Sequence, residues 1–247
     1  MNENKVAVVI PSRYASSRFP GKPLAMLCGK PMVQHVYEKA AASSADMVLV
    51  ATDDDRIFNT VTGFGGKAVM TAENHPSGTD RIAEAVRNCG ENVDIIINVQ
   101  GDEPFMEPTV IDQLIDVMQE TPAPDMATVV VPSTREQIAN NPNSPKVVVS
   151  ADNTALYFSR SPIPFLREGG TDMPLYKHWG IYAYSRAALS KFVSLPESPL
   201  EKSEKLEQLR ALENGMKIKV IKTNFQSIGI DTPEDLVQAE QYLKNLK

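Results

Sequence analysis

Cysteine is nearly absent. Only Cys28 and Cys89 occur among 247 residues, in no CxxC pair. That excludes a disulfide framework and a thiol-bound metal, and predicts two buried or half-buried thiols in a reducing compartment. A surplus of positive charge is absent too. The formal net charge is -6, so no basic face is available for general nucleic-acid binding. No apolar run approaches the length of a membrane span. The early "VAVVI" is too short for a secretory core and runs straight into Pro-Ser-Arg. The expectation is a cytoplasmic protein with no membrane or nucleic-acid partner. Glycine is scarce where phosphate loops need it. After the first strand there is neither GxxxxGK[ST] nor GxGxxG, which excludes a Walker loop and a dinucleotide fingerprint.

What is present fits an ordinary globular chain. Apolar residues make up 42% and charged residues 23%, and the length is ample for a full core. Apolar runs "KVAVVIP" (5–11), "MVLVAT" (47–52), "KAVM" (67–70) and "DIIINVQ" (94–100) read as strands. Three of them are nearly unbroken, as strands covered on both faces of a parallel sheet require. Helical patterns occupy about 31–44, 54–64 and 78–89, so the rhythm is β-α-β-α-β.

Beyond residue 121 the rhythm changes. Strand-like runs at 126–132, 146–150, 154–160 and 178–185 follow without regular helices between them, which predicts a mixed, partly antiparallel region. The Pro-rich stretch 161–175 reads as a surface excursion. A helix at about 202–214, a strand at 217–222 and a terminal helix opening at "DTPEDL" complete the pattern, with Asp231 or Thr232 as its cap. The fold class expected is α/β, one domain over 1–247 with an inserted subregion at about 133–195.

Ligands of an open parallel sheet bind beyond the C-terminal ends of its strands. The segments there are "SRYASSRFPGK", "TDDD", "TAENHPSGTDR" and "QGDEP". They bring Arg13, Arg18, Lys22 and Arg81 toward Asp102 and Glu103. The first loop has the donors of a polyphosphate clamp or is a solvated loop with incidental charge. Pro20 and Pro23 fix φ on either side of Lys22, so glycine freedom is not what this loop is expected to need. Asp102 is placed to hold a hard cation against phosphate oxygens, or to cap the next helix. Asp231 is a second ligand if the fold returns it to the same edge, and otherwise a helix cap. "TDDD" reads as a turn and cap. His35 and His75 have no partner at metal-ligand spacing and read as structural or incidental. His178 stands in "YKHWGIYAY", at the start of an alternating strand. In "EKLEQLRALENG" the leucine stripe is core, while Glu207 and Gln208 face a cleft or water.

Seven segments in order, "IPSRYASSRFPGKPL", "HPSGTDR", "NVQGDEP", "ALYFSRSPIPF", "YKHWGIYAY", "EKLEQLRALENG" and "SIGIDTPEDL", resemble the 3-deoxy-manno-octulosonate (Kdo) cytidylyltransferases over about residues 5–245. The resemblance implies a nucleotide-diphospho-sugar transferase fold, a homodimer with contacts from about 133–195, and Mg²⁺. It implies the reaction of CTP with Kdo to give CMP-Kdo and pyrophosphate. Ser12, Arg13 and Lys22 match the triphosphate loop, with Lys22, Arg13 and Asp102 in the catalytic roles. Ser12 replaces the alanine of many relatives. Arg81 and Gln100 match contacts to CTP and sugar, and Asp102 and Asp231 match the Mg²⁺ ligands. Arg160, His178, Tyr182, Glu207 and Gln208 match the sugar pocket, with Arg160 apt for its carboxylate. Rival expectations are CMP-activation of an 8-amino-Kdo or a sialic acid, or a silent nucleotide-binding protein on the same fold.

Overall fold

The structure, a computed structural model, describes residues 4–15, 18–168, 173–225 and 229–245, with side chains of the last segment through 242. Packing divides the chain into two units, 1–115 with 227–247, and 116–226. The subregion expected at about 133–195 falls inside the second.

In the first unit β1 (Val6–Ser12) leads through a 3-10 turn (Lys22–Leu24) into a small hairpin, β2 (Met26–Leu27) and β3 (Lys30–Pro31). Then come α1 (Met32–Ala41), β4 (Met47–Thr52), α2 (Asp55–Gly63), β5 (Ala68–Met70), α3 (Gly78–Asn88), β6 (Ile95–Asn98) and α4 (Pro108–Met118), at whose end the chain enters the second unit. The strands pair in the order β6-β1-β4-β5, all parallel. Ala7 to Ile10 are wholly buried, as are Ile96, Ile97, Val50 and Ala51. Each buried valine or isoleucine among them stabilises by about 1.5–3 kcal/mol, so register is fixed by burial on both faces. The helices begin where capping side chains stand. Asp54 accepts from the Arg56 amide and Ser77 from the Asp80 amide.

The second unit holds β7 (Met126–Ser133), α5 (Arg135–Ile138), β8 (Lys146–Val149), β9 (Ala155–Ser159), β10 (Leu175–Ser185), α6 (Arg186–Ser194), α7 (Pro199–Glu204), α8 (Leu209–Glu213) and β11 (Ile218–Lys222). β10 pairs antiparallel with β7 and β8, and β8 with β9, while β11 runs parallel to β7. The mixed character expected is observed. α9 (Pro233–Asn245) closes the first unit.

Four expectations need correction. The helix placed at 202–214 is two short helices, because Lys205 ends α7 in the left-handed conformation, φ 51°. α6 was not anticipated, although Ser185 caps it. β10 does not start at His178 or alternate; it starts at Leu175, and Ile181 to Tyr184 are all buried. Cys28 is exposed and only Cys89 half-buried. Of the Pro-rich stretch 161–175, residues 169–172 lie outside the described set.

Candidate active site

The C-terminal ends of β1 and β6 carry a polar cleft of about 310 Å³, lined by Ser12, Arg13, Arg18, Lys22, Ser77 and Asp102 among others. Two contacts bring its distant segments together. The Ile230 amide donates to the Asp102 carbonyl at 3.0 Å. Ile230 and Ala239 pack with Leu27 and Met32 in a buried cluster that ties α9 to the hairpin. Asp231 is thereby returned to the edge that carries Asp102.

Lys22 Nζ lies 2.8 Å from Asp102 Oδ2 and 3.2 Å from Asp231 Oδ1, with its side chain 15% exposed. One ammonium thus serves two carboxylates from opposite ends of the sequence. Arg18, left open by the sequence between phosphate and water, pairs with Asp231 at 3.1 Å. Asp231 is not spent on capping α9. Thr232 Oγ1 accepts from the Asp235 amide, and Asp235 Oδ2 accepts from the amides of both Thr232 and Asp231. That reciprocal cap leaves the Asp231 carboxylate for the cleft.

The loop does need a glycine. Gly21 has φ 71°, and a Cβ there would stand 3.0 Å from the Tyr14 ring. The Gly21 amide also donates to the Tyr14 carbonyl, while the Arg56 guanidinium covers the ring at 3.4 Å. Prolines and a left-handed glycine together set the turn that aims Lys22. At Gly101 two loops nearly touch, for a Cβ would lie 3.1 Å from the Pro11 carbonyl and from Ser12 Oγ. Ser12 Oγ is buried without a hydrogen-bond partner. Arg13 is exposed on the cleft wall.

Arg81 is 4% exposed. Its Nη1 donates to Thr71 Oγ1 and its Nη2 to Asp53 Oδ2, both at 2.6 Å. Asp53, from the "TDDD" read only as a turn and cap, orients a cleft-lining arginine, and nothing periodic in the sequence announces it. Asp54 does the capping. Gln100 lines the cleft, with Nε2 3.4 Å from Asn98 Oδ1. His75 bonds to Glu84, whose carboxyl also accepts the Ala72 amide. Those contacts hold it below the usual carboxylate range, the Ala72 amide contributing most. His35 donates to the Leu27 carbonyl at 2.7 Å. His35 braces the hairpin, while His75, tied to Glu84, also lines the cleft.

The donor set suits a hard cation. Two aspartates within reach of one positive centre match Mg²⁺, which takes one or two carboxylates and completes its shell with water and phosphate oxygens. Among the described residues no group of three or more His, Cys, Asp or Glu could cage a metal, so such an ion would be shared with a phosphate ligand.

Arg160, His178, Tyr182, Glu207 and Gln208 all belong to the second unit. Tyr182 and Gln208 are 8% and 5% exposed, and Tyr182 Oη and Gln208 Nε2 are buried with no hydrogen-bond partner. An orphaned buried polar group costs about 1–3 kcal/mol, so these two point to a ligand that completes them. Burial, then the neighbouring Tyr184 and Glu207, raise the Tyr182 pKa, so its hydroxyl stays protonated and able to donate. Glu207 is half-buried. Arg160 spends much of its fork on carbonyls: Nε on Glu204, Nη1 on Pro142 and Nη2 on Lys205, at 2.7, 2.7 and 3.1 Å. It docks against the C-terminal end of α7, a site favourable for a cation.

His178 is buried among Phe158 and Tyr182, with ring centroids 5.1 and 5.4 Å away. Burial lowers its pKa from 6.5 to about 3. The unfolded chain takes up this proton near pH 6.5 and the folded chain only near 3, so stability from this group is complete above about 7 and lost as pH falls. Between pH 7.5 and 5.5 the loss is about 1.4 kcal/mol. Urea unfolding of wild type and His178→Gln at both pH values measures it. Wild type should lose about 1.4 kcal/mol more than the variant, and equal losses would remove His178 as the cause.

A parallel sheet edge that sets a cationic loop against paired aspartates is suited to a polyphosphate and a hard cation, and the family that matches is one of nucleotidyltransferases. The cytidylyltransferase family model matches residues 7–218, and the chain belongs to that family. It is 51% identical over 241 residues to the 3-deoxy-manno-octulosonate cytidylyltransferase of Syntrophus aciditrophicus (strain SB), covering 97% of each chain. It is 53% identical over 234 residues to the 8-amino-3,8-dideoxy-manno-octulosonate cytidylyltransferase of Shewanella halifaxensis (strain HAW-EB4), covering 94% of this chain and 95% of that one. A solved structure of CMP:2-keto-3-deoxy-manno-octonic acid synthetase complexed with CTP matches with a TM-score of 0.94 and 43% identity, over 99% of this chain and 100% of that one. The resemblance carried by the seven segments is borne out.

Proposed function

We propose that the protein couples CTP to Kdo, releasing pyrophosphate and forming CMP-Kdo, the activated sugar for lipopolysaccharide assembly. The observation that carries this reading is the match, over nearly the whole chain, to a CTP-bound synthetase of that sugar. The cleft at the β1 and β6 ends agrees with it. The sugar's anomeric oxygen bonds to the α-phosphorus as the bond to the bridging oxygen breaks and pyrophosphate departs. The hydroxyl proton passes to solvent, and no side-chain base is assigned.

The barrier is mostly charge repulsion and ordering. Arg13 and Lys22 supply positive charge for the triphosphate, and Ser12 an unused hydroxyl beside it. Asp102 and Asp231 would hold Mg²⁺, which when bound neutralises phosphate charge and acidifies an attacking hydroxyl. Arg81, fixed by Asp53 and Thr71, and Gln100 line the nucleotide side. Tyr182, Gln208, Glu207, His178 and Arg160 are assigned to the sugar.

A homodimer through the second unit is part of the proposal. It is supported by Leu156, Phe165 and Met173, which are 59%, 87% and 49% exposed in the single chain. Among the described residues no helix is long and apolar enough to cross a membrane, and a cytoplasmic site of action is proposed with that in view.

The 8-amino sugar is a second reading, favoured by relatives of both names at 51% and 53% identity. Pyrophosphate release with CTP, Mg²⁺ and a panel of 2-keto sugar acids tests both. Kdo should give the highest kcat/KM. A higher value for the 8-amino sugar or a sialic acid would overturn the assignment, and CTP binding without turnover on any sugar would favour a silent protein.

A further inference from the structure

Thr128 lies on β7, wholly buried. Its hydroxyl touches two groups. Oγ1 is 2.8 Å from the Ile181 carbonyl and 3.1 Å from His178 Nε2. The register of β10 against β7 slips here: Trp179 pairs with Val129, but the next partner, of Thr128, is Tyr182. This bulge at Gly180 and Ile181 supplies the carbonyl that the hydroxyl meets. A carbonyl only accepts, so Thr128 must donate its single proton to Ile181. The same oxygen can then only accept from His178. Nε2 therefore carries the hydrogen and Nδ1 carries a lone pair.

We infer that Thr128 is a positioning residue that holds His178 as the Nε2–H tautomer, leaving Nδ1 to accept a hydrogen bond from a hydroxyl of the sugar. This rests on the assignment of His178 to the sugar site. Depression of the His178 pKa by burial agrees with it, since a neutral ring keeps that lone pair. The arrangement gives His178 a definite sign in recognition. It welcomes donors, and it repels carboxylate and phosphate oxygens, which also bring lone pairs. The sugar's acidic group is thus not its partner. The signal was open to sequence reading only in part, since Thr128 lies inside a continuous apolar strand where a threonine passes as filler.

Two measurements test this. The chain has three histidines, so ring ¹⁵N spectra of the substrate-free protein are readily assigned by single substitutions. His178 should show an unprotonated Nδ1 and a protonated Nε2 near pH 7. Thr128→Val should mix the tautomers, raise the sugar KM about tenfold and leave the CTP KM and kcat within about twofold. Thr128→Ser should restore both signatures. A protonated Nδ1 or an imidazolium in the wild type overturns the proposal, and that reading does not depend on any variant folding. Wild-type tautomer in Thr128→Val overturns the role of Thr128. If Thr128→Val mixes the tautomers but it and His178→Ala both keep the wild-type sugar KM, the sugar assignment of His178 fails while the hold of Thr128 on the ring stands.

Discussion

Lys22→Ala should lower kcat about 10²–10³-fold while raising the CTP KM less than about tenfold. Loss of one preorganised donor facing developing phosphate charge has that size. Ground-state binding suffers less, because Arg13 and Arg18 remain beside the cleft. The geometry adds a reason. Lys22 Nζ stands between Asp102 and Asp231, so its removal leaves two carboxylates facing each other where a polyanion must enter. Lys22→Arg should recover little, since a planar fork does not replace a compact ammonium aimed by the Gly21 turn. Single-turnover measurement at saturating CTP separates chemistry from product release. Wild-type turnover in Lys22→Ala would falsify the catalytic role.

Asp102→Asn carries the second large effect. The amide keeps the shape and removes the charge, and Mg²⁺-dependent activity should fall about 10³-fold, near 4 kcal/mol of transition-state stabilisation. Stability should barely follow. The Lys22–Asp102 pair is partly exposed, with its carboxylate side chain 30% accessible. Pairs of this kind contribute about 0–1 kcal/mol. Asp231→Asn should behave alike. The double variant should lose far less than the product of the single losses, because the two act as a unit. Activity titrated against Mg²⁺, beside a urea melt, reads both quantities. A variant that keeps full activity contradicts the ligand assignment. One that loses activity only in step with its stability would make Asp102 structural.

The strands of the first unit were legible because burial on both faces writes unbroken apolar runs, as at Val6–Ile10 and Ile95–Ile97. Strand-end loops then pointed to Lys22 and Asp102 through topology alone. What stayed hidden depended on partners far along the chain or on a single dihedral. The competition between Asp231 and Thr232 for one helix start is settled by Asp235, whose carboxyl reaches back to two amides. The break at Lys205 rests on a left-handed non-glycine residue that helical spacing does not reveal. α7 did carry a readable sign, the Ser198-Pro199-Leu200-Glu201 capping box. Asp53 and Thr71 act on Arg81 only after the sheet has aligned the ends of β4 and β5 beneath α3.

Gly101 gives the site its scale. The residue before Asp102 passes so close to the end of β1 that even a methyl group would meet the Pro11 carbonyl and Ser12 Oγ at 3.1 Å. The spacing between the cationic loop and the first aspartate is thus set by backbone against backbone, a feeler gauge whose blade is one hydrogen atom thick. Any side chain there would press on the Pro11 carbonyl and Ser12 Oγ, which would have to yield by a few tenths of an ångström, so this position tunes reach without bearing any charge of its own.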